Sequence, residues 1–376
     1  MTAVARERVD VAVERLDVAA YAIPTDEPES DATFDWDSTT IVVVVVHAGG
    51  ETGLGYTYAP AAAARLVDDE LADLVEGADA LALGQVWLAL GARLRNAGRP
   101  GLGFCALSAV DVALWDLKAR LLGLPLADLL GRAHDAVPVY GSGGFTSYDL
   151  PRLQAQLAGW VEEGIPRVKM KVGREPTEDP ARLAAARQAV GPATELFVDA
   201  NGALTRKEAL AWAERFAGEW GVSWFEEPVS SADLEGLRLL RDRGPAGLDV
   251  AAGEYAYVPA DFRNLLAAGA VDCLQADVTR CGGITGILHV GALSQAHGID
   301  LSGHCAPAVS AHALCAVHRL RHLEWFHDHV RIEEMLFEGV PSPAGGFIRP
   351  DEERPGLGLE LRREDGAPYL VYEGRR

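Results

Sequence analysis

RVKMKV at Arg167–Val172 is followed by ELFVDA at Glu195–Ala200 and by VSWFEE at Val222–Glu227. Each is an apolar run too short for a helix, rich in β-branched or aromatic residues, and ends at or beside a charge. The intervals carry helical patterns. After the second run, Thr205 and Glu208 form a T-x-x-E capping box, and Ala209, Trp212, Ala213 and Phe216 recur at helical spacing. Strand-length runs alternating with such helices predict parallel strands joined by helical crossovers.

The same unit recurs on both sides. VPVYGS (Val137–Ser142) precedes it; LDVAAGE (Leu248–Glu254), VDCLQAD (Val271–Asp277), IDLSGH (Ile299–His304) and HLEWFHD (His322–Asp328) follow. Pro180 and Pro259 stand where first-turn prolines belong. Eight regular units predict an α/β fold closed into a barrel, in preference to an open doubly wound sheet. Before residue 135 the texture changes. Strand-like segments (Val9–Ile23, Thr40–His47, Gly53–Tyr58) precede helical ones (Ala61–Val75, Leu81–Asn96, Ala106–Leu122), which predicts an α+β domain beside the barrel. The tail from Gly345 is rich in Gly and Pro, with a last apolar stretch at Leu357–Leu361.

The 376 residues, 49% hydrophobic and 24% charged, suit a soluble globular chain with room for such a barrel. A net charge of −21 repels phosphate backbones and anionic lipid, so no nucleic-acid or membrane partner is expected. Five cysteines without a CxxC pair read as free thiols in a reducing cytoplasm. The N-terminal MTAVARERVD has no apolar signal core, and the run Ile41–Val46 is too short to span a bilayer and reads as a buried strand.

Lys171, Asp199, Glu226, Glu254, Asp277, His304 and Glu324 each fall at or near the end of a run, at separations of 28, 27, 28, 23, 27 and 20 residues. Barrel active sites are assembled at that end of successive strands. Asp199, Glu226 and Glu254 come from adjacent strands. Three converging carboxylates need a cation, and an all-oxygen set suits Mg²⁺. Strand alternation selects Glu226 over Glu227 for this role. Lys169 and Lys171 share a face, so each is expected to lower the other's pKa and help one act as a neutral base. Asp277 beside His304 would fix the imidazole tautomer and leave the other nitrogen as a base. His327 and His329 in FHDHV are read as packing or local hydrogen-bonding residues, not metal ligands.

These residues, in this order, resemble the enolase superfamily and within it the mandelate racemase subgroup, particularly its acid-sugar dehydratases. The resemblance spans nearly the whole chain. It implies an α+β capping domain (residues 1–133), a modified TIM-like (β/α)7β barrel (134–330) and a C-terminal segment (331–376) packing back on the cap. Lys171 in VKMKVG resembles the base for one substrate face, with Lys169 as its electrostatic helper. Asp199 in VDANG, Glu226 in FEEP and Glu254 in AAGE resemble the Mg²⁺ ligands. Asp277 and His304 resemble the dyad for the other face, and Glu324 a protonated acid that hydrogen-bonds the substrate carboxylate. Asn201 and Arg280 are placed at the substrate, Arg280 also supporting Asp277. Two departures matter: an aspartate at 277 disfavours the muconate-lactonising and dipeptide-epimerising branches, and Arg280 stands where many relatives have lysine.

The activity implied is Mg²⁺-dependent removal of the proton α to a carboxylate, giving an enediolate that expels a β-hydroxyl. Racemisation or epimerisation of a 2-hydroxy acid is the alternative, and a non-enzymatic sugar-acid binder a distant third. The partner implied is a small carboxylate substrate, and the assembly a homo-oligomer. The segment Pro24–Ser38 is expected to be a loop closing over the barrel mouth. Its six acids and lack of basic residues would disfavour a second substrate carboxylate.

Overall fold

A computed structural model describes residues 10–375. The start assigned to the first strand, Val9, and most of the N-terminal stretch judged free of a signal core lie outside the described residues. Strand β1 (Arg15–Ser30), β2 (Asp35–Ala48) and β3 (Glu51–Tyr58) form an antiparallel sheet, to which the C-terminal strand Leu370–Arg375 adds beside β1. Between β2 and β3 only Gly49 and Gly50 intervene, at φ of 59° and 81°. Two positive φ values match the type I′ turn that suits the right-handed strand twist. The helix Leu102–Leu121 lies across this sheet. Side chains at Gly53 and Gly55 would meet Ala113 O at 2.1 Å and Ala109 O at 2.2 Å, so the glycines permit this close approach.

The barrel strands are β4 (Val137–Gly143), β5 (Arg167–Lys171), β6 (Glu195–Asp199), β7 (Val222–Glu226), β8 (Asp249–Ala252), β9 (Cys273–Asp277), β10 (Asp300–His304) and β11 (Leu320–Phe326). Neighbours pair in parallel, and β11 pairs with β4 to close the ring. Each of the eight runs read from the sequence overlaps one of these strands, and six of them contain it whole. The Thr205–Glu208 capping box forms, and Pro180 and Pro259 lie in the first turns of their helices. Inside the ring Tyr140, Phe197 and Trp224 pack edge-on or stacked at 5.4 Å, a floor of aromatic rings beneath the strand ends.

The cap helix also holds a barrel element. Ser108 Oγ accepts from the Gly282 and Gly283 N–H groups, and Asp111 from the Thr285 N–H and hydroxyl, so the start of helix Gly283–His297 is capped from another domain. All five cysteines are buried and free. No helix among the described residues is long and apolar enough to cross a membrane.

The reading of Pro24–Ser38 as a loop is corrected. β1 runs on to Ser30 and β2 starts at Asp35, so the segment is an extended hairpin turning at residues 31–34. Its ladder is broken by a bulge between Pro24 and Glu29, where Pro28 supplies no N–H.

Candidate active site

Strand register sets the geometry. Lys171, Asp199 and Glu226 are direct lateral partners across β5, β6 and β7, and Asp277 pairs with His304 across β9 and β10. Glu254 follows β8 by two residues. Carboxylate oxygens of Asp199, Glu226 and Glu254 lie within 4.8 Å of one another, all buried. The three expected ligands are therefore brought together, and Glu226 rather than Glu227 completes the set.

Both lysines reach this group. Lys169 Nζ lies 2.5 Å from Glu226, 2.8 Å from Glu324 and 3.5 Å from Asp199; Lys171 Nζ donates to Asp199 at 2.6 Å. Burial pulls both lysine pKa values down, but the carboxylates outweigh it and hold both above the ordinary value. The expected mutual lowering is thus present for Lys171 but overridden here by Asp199. Burial also pushes Glu226 up to about 8, with Lys169 opposing, and holds Glu227 far higher. Glu227 Oε1 is buried without a partner. The cluster carries more carboxylate than its lysines neutralise. An oxygen-only trio in that setting fits a hard divalent cation.

On the other side, His304 Nδ1 bonds Asp277 at 2.8 Å, the expected dyad. Asp277 is fixed in turn by the Thr279 N–H and hydroxyl, both at 2.7 Å, and by Arg280 at 3.4 Å. His304 Nε2 faces Glu254 at 2.7 Å. Burial disfavours the imidazolium, yet Cys305, Glu254, Glu324 and Asp277 together hold the His304 pKa well above its ordinary value. Glu324 departs from expectation. Burial favours its proton, but Lys169 and His304 outweigh that and hold it well below the usual range, so it is ionised here. Ser142 donates to one oxygen at 2.6 Å and the Cys305 N–H to the other at 3.2 Å.

Asn201 sits at φ 43° just past β6 and gives its N–H to Asp199; with Arg280 it lines the cavity over the site. That cavity, about 370 Å³, also touches Lys171, Glu254, His304 and Glu324. Four supporting groups escaped the sequence reading. Trp224 Nε1 donates to Glu226 at 3.0 Å, and Ser142, Thr279 and Cys305 hold the acids described above. Trp224 was legible in principle, since it shares a strand face with Glu226 two residues away. Glu227 was assigned to the opposite face. The strand ends before it and its φ of 38° turns it inward, so alternation no longer applies.

His327 bonds Asp26 at 3.1 Å and His329 stacks on Tyr58 at 3.4 Å, the local roles expected of both. Of the hairpin's six acids, Asp31 alone lines the cavity among the described residues. Asp26 and Glu27 face Arg152, and Asp35 faces Arg174 at 2.7 Å.

The family described as mandelate racemase / muconate lactonizing enzyme, N-terminal domain, matches residues 16–131, and the one described as enolase C-terminal domain-like matches 152–365. The chain belongs to the mandelate racemase / muconate lactonizing enzyme family. A 3,6-anhydro-alpha-L-galactonate cycloisomerase of Streptomyces coelicolor is 35% identical, over 93% of this chain and 97% of that protein. A mandelate racemase/muconate lactonizing enzyme-like protein from Rubrobacter xylanophilus superposes with a TM-score of 0.94 at 62% identity, covering 96% of this chain and all of that one. An L-talarate dehydratase from Polaromonas sp. JS666, solved with Mg and L-glucarate, superposes with a TM-score of 0.87 at 30% identity, covering 97% and 99%. Membership in this family accounts for the cap and the modified barrel occurring together.

Proposed function

We propose that the chain is a Mg²⁺-dependent acid-sugar dehydratase. The observation that carries this reading is one cavity lined both by Lys171 and by the Asp277-paired His304, beside the Asp199–Glu226–Glu254 trio. Similarity to a dehydratase solved with Mg and a sugar diacid supports it.

Asp199, Glu226 and Glu254 would hold Mg²⁺, which when bound stabilises the negative charge that builds on the substrate carboxylate as the α-proton leaves. Burial and Lys169 lower the pKa of Lys171, against Asp199, Glu254 and Glu226, whose pull on it would weaken once they share their charge with a cation; Lys171 as the neutral amine would take the α-proton. Lys169, fully buried and cationic, supports the enediolate from one side. An incoming carboxylate raises the pKa of Glu324 beside it, favouring the neutral acid that donates to the substrate. His304, held as imidazolium, gives its proton to the departing β-hydroxyl, which leaves as water, and the enol product ketonises.

Racemisation uses the same two groups, with His304 returning a proton to the opposite face of the α-carbon; product analysis separates the outcomes. The proposal includes the division at residues 1–133, 134–330 and 331–376, supported by the return of Leu370–Arg375 to β1, and a homo-oligomeric assembly. The test is incubation with Mg²⁺ and a panel of sugar acids in D₂O. Loss of water is expected, with solvent deuterium at C3 of the 2-keto-3-deoxy product, where the enol is protonated, and at the α-carbon of recovered substrate where proton removal reverses; neither across the panel, or full activity after chelation, rejects the reading.

A further inference from the structure

We infer that the substrate is a monocarboxylic (aldonic) acid, whose far end is an uncharged polyol held by the β1–β2 hairpin. This rests on the function just proposed and narrows its substrate class. The cavity has two chemically distinct ends. One carries Lys171, Glu254, His304 and Glu324; the other is closed by the cap through Asp31, Trp36, Ser38, Thr39 and Thr40. Register identifies which of these look inward. Ile41 pairs with Tyr58, and Tyr58 lines the cavity, so Thr39, two residues before Ile41 on the same strand face, is turned towards the barrel.

No cation stands at that end among the described residues. The basic groups that meet the hairpin are held on its outer side. Arg174 bonds Asp35 at 2.7 Å and the backbone carbonyls of Asp31 and Phe34 at 3.2 and 3.4 Å, Arg152 bonds Asp26 at 3.2 Å, and Arg331 bonds Asp328 at 2.6 Å and Pro24 O at 2.7 Å. None of the three lines the cavity. Arg280 does, but at the catalytic end: it lies beside Asp277, donates to Glu254 O at 3.1 Å and sits over the Tyr255 ring. A second carboxylate at the cap end would meet Asp31 and neutral hydroxyls. Asp31 is buried, with Oδ1 taken by the Thr33 N–H at 2.6 Å and the Phe34 N–H at 2.8 Å, so its charge is fixed at that wall. A desolvated carboxylate facing a like charge is disfavoured, whereas sugar hydroxyls can donate to Asp31 and exchange hydrogen bonds with Thr39. The expectation drawn from the sequence stands on different ground. Most of the hairpin's acids point away, and the lining itself excludes the second charge.

The experiment compares six-carbon pairs, gluconate with glucarate and galactonate with galactarate, on the Mg²⁺-loaded enzyme, reading kcat/KM and α-deuterium incorporation. In the productive pair the aldonate should exceed its aldarate by about 100-fold or more. Thr39→Arg, which puts a cation at the cap end, should cut that ratio at least about tenfold by raising the aldarate's kcat/KM. Asp31→Asn, which keeps the Oδ1 acceptor and removes the charge, should shift it the same way and serves if the arginine variant fails to fold. An aldarate preferred by the unaltered enzyme overturns the inference while leaving the dehydratase reading intact. If none of the four turns over, the same comparison is made on the best acid of the wider panel and its oxidised or reduced counterpart; neither loss of water nor deuterium incorporation anywhere in that panel overturns the dehydratase reading, and the inference with it.

Discussion

At the scale of single residues, the site works by surrounding each reacting group with partners that fix its charge. Lys171→Ala and His304→Asn should each lower kcat by about 10²–10⁴-fold while circular dichroism shows the fold retained; turnover equal to the unaltered enzyme in either variant rejects the two-base mechanism. Trp224→Phe keeps the ring stacked on Phe197 but removes the N–H that Glu226 accepts at 3.0 Å. Groups that orient a metal ligand are worth about 10–100-fold in affinity, so calorimetric titration of this variant should show Mg²⁺ binding weaker by that factor. The convergence of the candidate ligands and bases was legible because each is a polar group at or near the end of an apolar run, and the spacing of the runs brings those groups together. Glu227 was not. Its place depends on a positive φ that the FEEP sequence does not announce; Glu324, expected to carry a proton from the family resemblance, is ionised by Ser142, Lys169, His304 and the Cys305 N–H, which come from β4, β5, β10 and the turn after it.

Among the elements, the β1–β2 hairpin departs furthest from expectation. Its acids were expected to bear on the barrel mouth because the counter-ions that hold most of them outside it, Arg152, Arg174 and Arg331, lie more than a hundred residues away in sequence. Within that seam Glu29 is buried, accepts from the Trp36 indole at 2.8 Å and leaves Oε1 unpartnered. Burial and then Asp328 push its pKa from 4.5 up to about 9, against Trp36 and Arg331, with Asp26 adding to the rise. The carboxyl is therefore held neutral in the fold and ionised in the unfolded chain at neutral pH. Folding binds a proton here, so the contribution is complete below the unfolded value of 4.5, declines as pH rises, and is gone above about 9. Glu29→Gln keeps an acceptor for Trp36 and does not titrate. Between pH 6 and 9.5 the melting temperature of the unaltered protein should fall further than that of the variant; parallel curves would show that Glu29 is ionised throughout.

For the molecule as a whole, the alternation of strands and helices made the barrel readable, whereas the joint between cap and barrel was not, because it is built from single polar atoms on distant segments. The cavity needs both parts, since the hairpin forms one wall and the strand ends the other. Asp116, in the cap helix and fully buried, is the centre of a second joint of this kind, between the cap and the chain's last segment. It accepts from the Leu54 N–H of β3 at 2.7 Å, from the Leu357 N–H of the C-terminal segment at 2.6 Å and from Arg120 at 3.0 Å. Arg120 continues to Leu359 O and Glu360, so one carboxylate ties a helix, a strand and the chain's last segment. Burial raises its pKa to about 6, with Arg120 and the two N–H groups opposing, so it is ionised at neutral pH. Asp116→Ala leaves two buried N–H groups unpaired and takes from Arg120 one of its two carboxylate partners. Removing one side of a buried pair costs about 3–5 kcal/mol, so the urea midpoint should drop clearly. The apolar packing of the barrel is untouched, so the loss should fall first on the cap, with amide hydrogen exchange rising in the sheet β1–β3 and the helix Leu102–Leu121 before it rises in the barrel strands. A midpoint within about 0.5 kcal/mol of the unaltered protein, the range of ordinary surface substitutions, would mean that the cap is held by its apolar face alone and that Asp116 is a bystander.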